Sequence, residues 1–308
     1  MVDIKEIAKN IYLIDDQLYS IPKLGCVYLI KEEKKALIDT GPATSADTVL
    51  DGIREVGVKP EDINYLIVTH IHLDHAGGAG VLVKKMPQAQ VVVHHKGAGH
   101  LVEPAKLVDS VIATRGREAM MREGEVLPIE AVRVKPVYGD DVIKLSEKQV
   151  LKFIDAPGHA SHELCIYESR NNGLFIGDTI GIFVAENETL LLVTPPPSFD
   201  VELYLNTLER LMMLKATAIY FAHFGVSNKV QEILQLAMDQ LQAWDKIVTK
   251  AVREGGFDSA AEKMKAQFYL ELEPIRKMES LYKYFTENIV PLNVAGYMKY
   301  YQERYAAN

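Results

Sequence analysis

Apolar residues along this chain fall first into short blocks and, beyond residue 228, into helical spacing. The blocks at 11–14, 26–30, 35–39, 64–69, 89–94, 150–154, 163–167, 174–176 and 218–222 are rich in β-branched and aromatic residues and predict strands. Residues 45–56 read as a helix. In the last quarter Val230, Ile233, Leu234, Ala237, Leu241, Trp244, Ile247, Val248 and Val252 keep to one face of a helix that Gly255-Gly256 should stop. Residues 257–272 and 275–289 predict two more helices parted near Pro274, and Pro291 opens a final one. Residues 95–142 show no long period and are expected to form a lid or insertion.

The block at 64–69 delivers the chain into Thr69-His70-Ile71-His72-Leu73-Asp74-His75-Ala76-Gly77-Gly78, an H-x-H-x-D-H spacing followed by glycines that allow a sharp turn. Imidazole and carboxylate are donors that a divalent cation accepts near neutral pH. One histidine at a strand end is ordinarily hydrogen-bonded structure. Four donors within six residues would repel one another or leave polar groups unpaired if buried without a cation, so a metal is expected here.

Three later blocks end the same way. Ile154-Asp155-Ala156-Pro157-Gly158 leads to His159, Leu174-Phe175-Ile176-Gly177 leads to Asp178 and Thr179, and Tyr220-Phe221-Ala222 leads to His223, Phe224 and Gly225. In this order the H-x-H-x-D-H, P-G-H, G-D-T and A-H-F-G segments resemble the metallo-β-lactamase superfamily over roughly residues 10–228. The resemblance implies an α/β protein, a four-layer αβ/βα sandwich with a dinuclear site at the edge between two sheets. It assigns His70, His72 and His159 to one ion and Asp74, His75 and His223 to the other, with Asp178 bridging them and Asp39 orienting the metal loop. It also implies two divalent ions, zinc foremost, although these mixed donors accept iron or manganese as well. Residues 1–228 would form the catalytic domain and residues 229–308 a C-terminal all-helical extension.

The donor set also separates branches of the superfamily. His72 stands where flavodiiron-type oxygen reductases typically carry Glu, and no glycine-rich flavin-binding extension follows. His75 and Asp178 keep hydrolase-type donors at positions where class B β-lactamases commonly differ. The chain is therefore more similar to glyoxalase II, lactonase and phosphodiesterase members. Gly181 stands where lactonase members place a tyrosine, which counts against acyl-homoserine lactonase activity. The expected chemistry is hydrolysis of a small ester, thioester, lactone or phosphodiester by a hydroxide shared between two ions, with Asp74 orienting it and passing a proton to the leaving group. The alternatives are an iron-dependent redox enzyme of the oxygen-reducing or persulfide-oxidising branch and a ribonuclease Z-like phosphodiesterase.

Charge changes the picture in one respect. The formal net charge is −8, while residues 229–308 carry 11 basic and 11 acidic side chains, so the whole deficit lies in residues 1–228. No basic cluster offers the counterion release that a nucleic acid would need, and a small-molecule substrate is expected instead. The first residues lack the basic and apolar regions of a signal peptide, and no apolar run approaches membrane-spanning length, so a cytoplasmic protein without a membrane partner is expected. Cys26 and Cys165 sit in apolar strands and read as small core residues. Seven of the fifteen tyrosines fall between Tyr269 and Tyr305 and read as helix-packing surface rather than a ligand box, and the tail is expected either to cover the active-site mouth or to form a homodimer face.

A few residues stay open. His162 is expected either to touch substrate or a metal ligand, or to be an ordinary hydrogen-bonded histidine. His94, His95 and His100 have no metal spacing. Arg115, Arg117 and Arg122 are expected either to bind an anionic group from the lid or to lie in an exposed charged loop. Residues 194–199, with three successive prolines, form a rigid connector that could wall the active-site mouth.

Overall fold

A computed structural model describes residues 2–306. Sheet one holds seven strands in chain order: β1 (Ile4–Ala8), β2 (Ile11–Asp15), β3 (Cys26–Ile30), β4 (Lys35–Ile38), β5 (Ile63–Ile67), β6 (Gln90–His94) and β7 (Val134–Val137). Neighbours from β1 to β4 run antiparallel, and those from β4 to β7 run parallel. Parallel neighbours need crossover segments. These are supplied by α1 (Ala46–Glu55), the short α2 (Leu73–Ala76) and α3 (Ala79–Leu82), and α4 (Ala98–Val102) with α5 (Ala105–Glu123). Sheet two comprises β8 (Val142–Ser146), β9 (Gln149–Asp155), β10 (Leu164–Glu168) and β11 (Gly173–Phe175). Beyond the hairpin strands β12 (Ile182–Val184) and β13 (Thr189–Leu191), it is completed by β14 (Ala218–Tyr220) and β15 (Val226–Ser227).

Alternation along the strands decides what each face meets. Val27, Leu29, Leu37, Leu66, Val91 and Val93 turn toward Val49, Leu50, Ile53, Ala79 and Leu82 of the helices. Tyr28, Ile30, Ile38, Ile67 and Val92 turn the other way, against Phe153, Leu164, Ile166, Phe175 and Tyr220 of the second sheet. Both faces of sheet one are buried, which is why its strands read as nearly continuous apolar blocks.

The described chain divides into two compact units. One comprises residues 1–155, 162–177 and 218–226, and the other residues 156–161, 178–217 and 227–308. The first contains both large sheets. The second contains the β12–β13 hairpin, α6 (Val201–Met213) and the tail, formed by α7 (Val230–Glu271), α8 (Glu279–Tyr284) and α9 (Val290–Ala306). The expected stop at Gly255-Gly256 appears as a break in α7, where Gly256 takes φ 77°. The chain doubles back there: the Trp244 indole donates to Glu271 at 2.8 Å and its ring meets Phe268 edge-on.

The structure goes beyond the sequence pattern in three places. Residues 95–142, which show no long period, contain α4, α5, β7 and the start of β8. Of the α5 side chains only Ala119 and Glu123 are buried and Gly116 breaks the helix at φ 84°, so no apolar period exists for a sequence to show. The helix expected at 275–289 begins only at Glu279, after a 3-10 turn over Glu273–Ile275, and runs through a π-turn directly into α9. The edge strand β1, with an exposed Lys5-Glu6 pair, was not expected at all. Among the described residues no helix is long and apolar enough to cross a membrane.

Within the second unit, α9 is fastened to the segment after β13 by one buried amide. Asn293 Oδ1 accepts from the Thr194 N–H at 2.8 Å, and its Nδ2 donates to the Leu192 carbonyl at 2.7 Å. Gly296 makes this approach possible, since a Cβ there would stand 1.7 Å from the Thr194 carbonyl oxygen. Asn293→Ala would strand one buried donor and one buried acceptor, and should cost about 2–4 kcal/mol in urea-melt stability. An unchanged melting midpoint would remove this brace from the account.

Candidate metal centre

The donors of the first unit gather where strands end. Asp39 follows β4, Thr69 and His70 follow β5, and His223 follows β14, while Glu163 precedes β10, which runs the opposite way. Two backbone bonds stitch the sheets together at this edge: Leu164 N–H to the Thr69 carbonyl at 2.8 Å, and Cys26 N–H to the Ala222 carbonyl at 3.0 Å. Tyr28 clamps the turn that carries His223, donating its buried hydroxyl to the Phe221 and Gly225 carbonyls at 2.6 and 2.8 Å.

Asp39 is a residue in the left-handed region, φ 59°, a conformation that costs a non-glycine residue of order 1 kcal/mol or more. Its carboxylate accepts from the Thr69 N–H at 2.7 Å and from the Thr69 hydroxyl at 3.0 Å, and lies 3.1 Å from His75 Nδ1. These bonds tie the end of β4 to the end of β5 and to α2, and they hold the Asp39 backbone in place. His70 Nδ1 lies 3.2 Å from the Thr69 hydroxyl and 3.3 Å from the Glu163 carboxylate, and His223 turns its Nδ1 to the Leu24 carbonyl at 3.1 Å. In each case the nitrogen facing the protein has an acceptor, so the proton belongs there and Nε2 keeps its lone pair. Glu163 fits beneath His70 because residue 177 is a glycine at φ 53°; a Cβ there would come within 2.1 Å of the Glu163 carboxylate.

The opposite nitrogens converge. His70 Nε2 lies 2.9 Å from His72 Nδ1. Asp74 Oδ2 lies 3.8 Å from both His75 Nε2 and His223 Nε2, and the ligand atoms of Asp74, His75 and His223 all fall within 4.8 Å of one another. Nitrogen lone pairs and a carboxylate aimed at common points in a buried place fit a divalent cation. His162 stacks near His70, with ring centroids 6.2 Å apart, and meets His72 edge-on at 5.7 Å.

The second unit holds the remaining two predicted donors together. His159 Nε2 stands 3.5 Å from Asp178 Oδ2, and its Nδ1 faces the Val193 carbonyl at 2.8 Å. The P-G-H turn reaches this position because Gly158, φ 147°, presses on α6, where a Cβ would meet the Tyr204 Cα at 2.5 Å. Thr207 fixes the turn further through the Pro157 carbonyl at 2.7 Å. The Val193 carbonyl lies between Leu192 and Thr194, the two residues that Asn293 holds.

Several of these partners were not read from the sequence. Leu24 and Val193 act through backbone carbonyls, which every residue has. Glu163 offered a signal: it is an acid at the mouth of an otherwise apolar strand. Asp16 and Glu123 are buried acids of the first unit that also went unnoticed. Burial, then neighbouring Asp15, pushes the Asp16 carboxyl up to about 7; burial, then Asp74, pushes Glu123 up to about 7. The remaining histidines stand apart from the donor cluster: His94 pairs with Asp155 at 3.2 Å, and His95 stacks on Tyr138. Both cysteines are free and buried.

Comparison with known proteins agrees with this geometry. Residues 23–223 match the metallo-beta-lactamase superfamily family model. The metallo-beta-lactamase fold-containing protein ST1585 of Sulfurisphaera tokodaii is 28% identical over 218 residues, 68% of this chain and 77% of its own; the crystal structure of ST1585 aligns with 87% of this chain and 98% of that one at a TM-score of 0.65. An N-acyl homoserine lactonase of Bacillus cereus is 25% identical over 70% of this chain and 86% of its own length. The superfamily protein TTHA1429 of Thermus thermophilus, 19% identical, shares the fold over 98% of this chain and 96% of its own at a TM-score of 0.66. With the family match covering most of the chain and its donors standing at the strand ends, the protein belongs to the metallo-beta-lactamase superfamily and is a metallo-hydrolase of that fold.

Proposed function

We propose that the chain hydrolyses a small ester, lactone, thioester or phosphodiester at a centre of two divalent ions, zinc foremost, in which His159 and Asp178 join His70, His72, Asp74, His75 and His223. The observation that carries this reading is the set of four histidines, His70, His75, His159 and His223, each with its second nitrogen against an acceptor. Such orientation serves ligands and is wasted on ordinary surface histidines. When bound, the ions supply positive charge that acidifies a water and polarises the substrate oxygen. The protein's own part is to hold that charge in fixed geometry and to handle the proton. Asp74, with 14% of its side chain exposed, is placed to orient a water and to return a proton to the leaving group. The imidazoles of His70, His75, His159 and His223 are almost fully buried, which keeps bulk water from competing and strengthens charge interactions at the reacting oxygen.

The lactonase relatives support an ester or lactone bond as the target. Their acyl-homoserine substrate is less well supported here. Gly181 takes φ 71° and a Cβ at that position would lie 2.3 Å from the Leu191 carbonyl oxygen, so the tyrosine of lactonase members has no room. The same geometry leaves the other esters open.

Protein purified without chelator should carry two metal equivalents per chain by elemental analysis; saturation at one would exclude the dinuclear centre. Asp178→Ala should lower metal content and cut turnover of activated esters by at least about a hundredfold, a loss of order 3 kcal/mol in the barrier, with an unchanged far-UV spectrum. Near wild-type turnover in that variant would take Asp178 out of the site. Glu163→Gln keeps the size of the side chain but weakens its hold on His70 Nδ1, and should reduce metal affinity about tenfold to a hundredfold in a chelator competition. An affinity equal to wild type would make Glu163 a packing residue only.

A further inference from the structure

The three arginines singled out in the sequence have different fates in the first unit. Arg115 Nη1 lies 3.2 Å from Glu123 Oε1, and the same oxygen accepts the Tyr19 hydroxyl at 2.6 Å. Arg115 is thus committed to a buried carboxylate. Arg117 is simply exposed. Arg122 lays its guanidinium over the Tyr19 ring, 5.4 Å from the centroid, and lines a cavity of about 300 Å³.

The other walls of that cavity include Gln17, Tyr19, Ser20, Thr44 and Asp16. Gln17, Tyr19 and Ser20 all take left-handed backbone, φ 53°, 52° and 63°, which turns this part of the loop after β2 around the space. The Thr44 hydroxyl donates to the Arg122 carbonyl at 2.9 Å, fastening the end of α5 to the turn before α1. The rim is therefore built from three parts of the chain that are tied to one another, and amides and hydroxyls surround a single guanidinium. Asp16 is the one acid among these lining residues. Its Oδ1 already accepts the Leu18 N–H at 3.0 Å, which turns that oxygen to the loop backbone.

The cavity neighbours the donor cluster. The loop that begins at Asp16 carries the Leu24 carbonyl that fixes His223, and the Glu123 carboxyl beside Arg122 feels the charge of Asp74.

We propose that this cavity is a substrate subsite that binds a carboxylate, with Arg122 as the recognising cation and Tyr19 as the residue that positions it. The proposal rests on the reading of the chain as a small-ester hydrolase and names the class of ester: one whose acid portion bears a free carboxylate. Guanidinium and carboxylate form charge-assisted, paired hydrogen bonds, and the aromatic ring beneath the guanidinium limits the freedom it loses on binding. A single cation suits a monoanion rather than a polyphosphate.

The test compares 4-nitrophenyl hydrogen succinate with 4-nitrophenyl butyrate, which share a leaving group and differ in charge, each rate being taken above its enzyme-free rate because the succinate carboxylate also attacks its own ester. Wild-type kcat/KM should favour the succinate ester by about tenfold or more. Arg122→Ala should bring that ratio close to one through KM, and Arg122→Lys should restore part of it, with equal metal content in all three proteins. A wild-type ratio near one, or a ratio that survives Arg122→Ala, overturns the subsite and leaves the hydrolase reading standing. Should neither ester be turned over, the ester reading on which the subsite rests fails and binding decides the subsite alone. The amide analogue N-(4-nitrophenyl)succinamic acid should then bind about tenfold more weakly to Arg122→Ala than to wild type by calorimetry, and equal affinity overturns the proposal.

Discussion

A buried imidazole can serve as a ligand only if its other nitrogen has an acceptor, and this requirement organises the molecule around its centre. Asp39, Glu163, and the carbonyls of Leu24 and Val193 meet it for four histidines. Each acceptor has in turn to be placed. Asp39 needs the left-handed backbone at the end of β4, Glu163 needs a glycine at 177, and Leu24 needs the loop between β2 and β3. The sheets supply the rigid ends from which these groups project, and their apolar faces supply the free energy that holds the ends still.

Much of this was legible in the sequence because the physical causes are local. The strand at 26–30 is buried throughout and has to be apolar on both faces, while those at 64–69 and 150–154 are buried over most of their length, so all three blocks stand out. The donors stand out because histidine and aspartate rarely follow such blocks without a purpose. What could not be read depends on tertiary partners. No periodicity marks α5, because that helix buries almost nothing and breaks at Gly116. Carbonyl acceptors carry no side-chain signature, and Asn293 looks like any polar residue on a helix until its amide is seen meeting Thr194 and Leu192.

The glycines near the site divide into two kinds. Gly158 and Gly177 let a donor or its support come close, at Tyr204 and Glu163 respectively. Gly181 instead marks a place where a side chain is excluded by the strand opposite it. A side chain at the first kind would displace the groups that support His159 and His70, whereas one at Gly181 would displace the backbone at Leu191 and Leu192.

The amide of Asn293 also sets an order of events during synthesis. It lies 99 residues beyond Thr194, so the segment whose carbonyl orients His159 leaves the ribosome well before the side chain that braces it. At about 5–20 residues per second the interval is on the order of 5–20 s. Once His223 has followed, 29 residues after Thr194, the nascent chain displays every predicted ligand while the His159 segment still lacks this brace. The His159 segment therefore gains this brace only once the last helix has emerged, and a ribosome stalled within α9 would hold a chain with all seven predicted donors and an unbraced His159 segment.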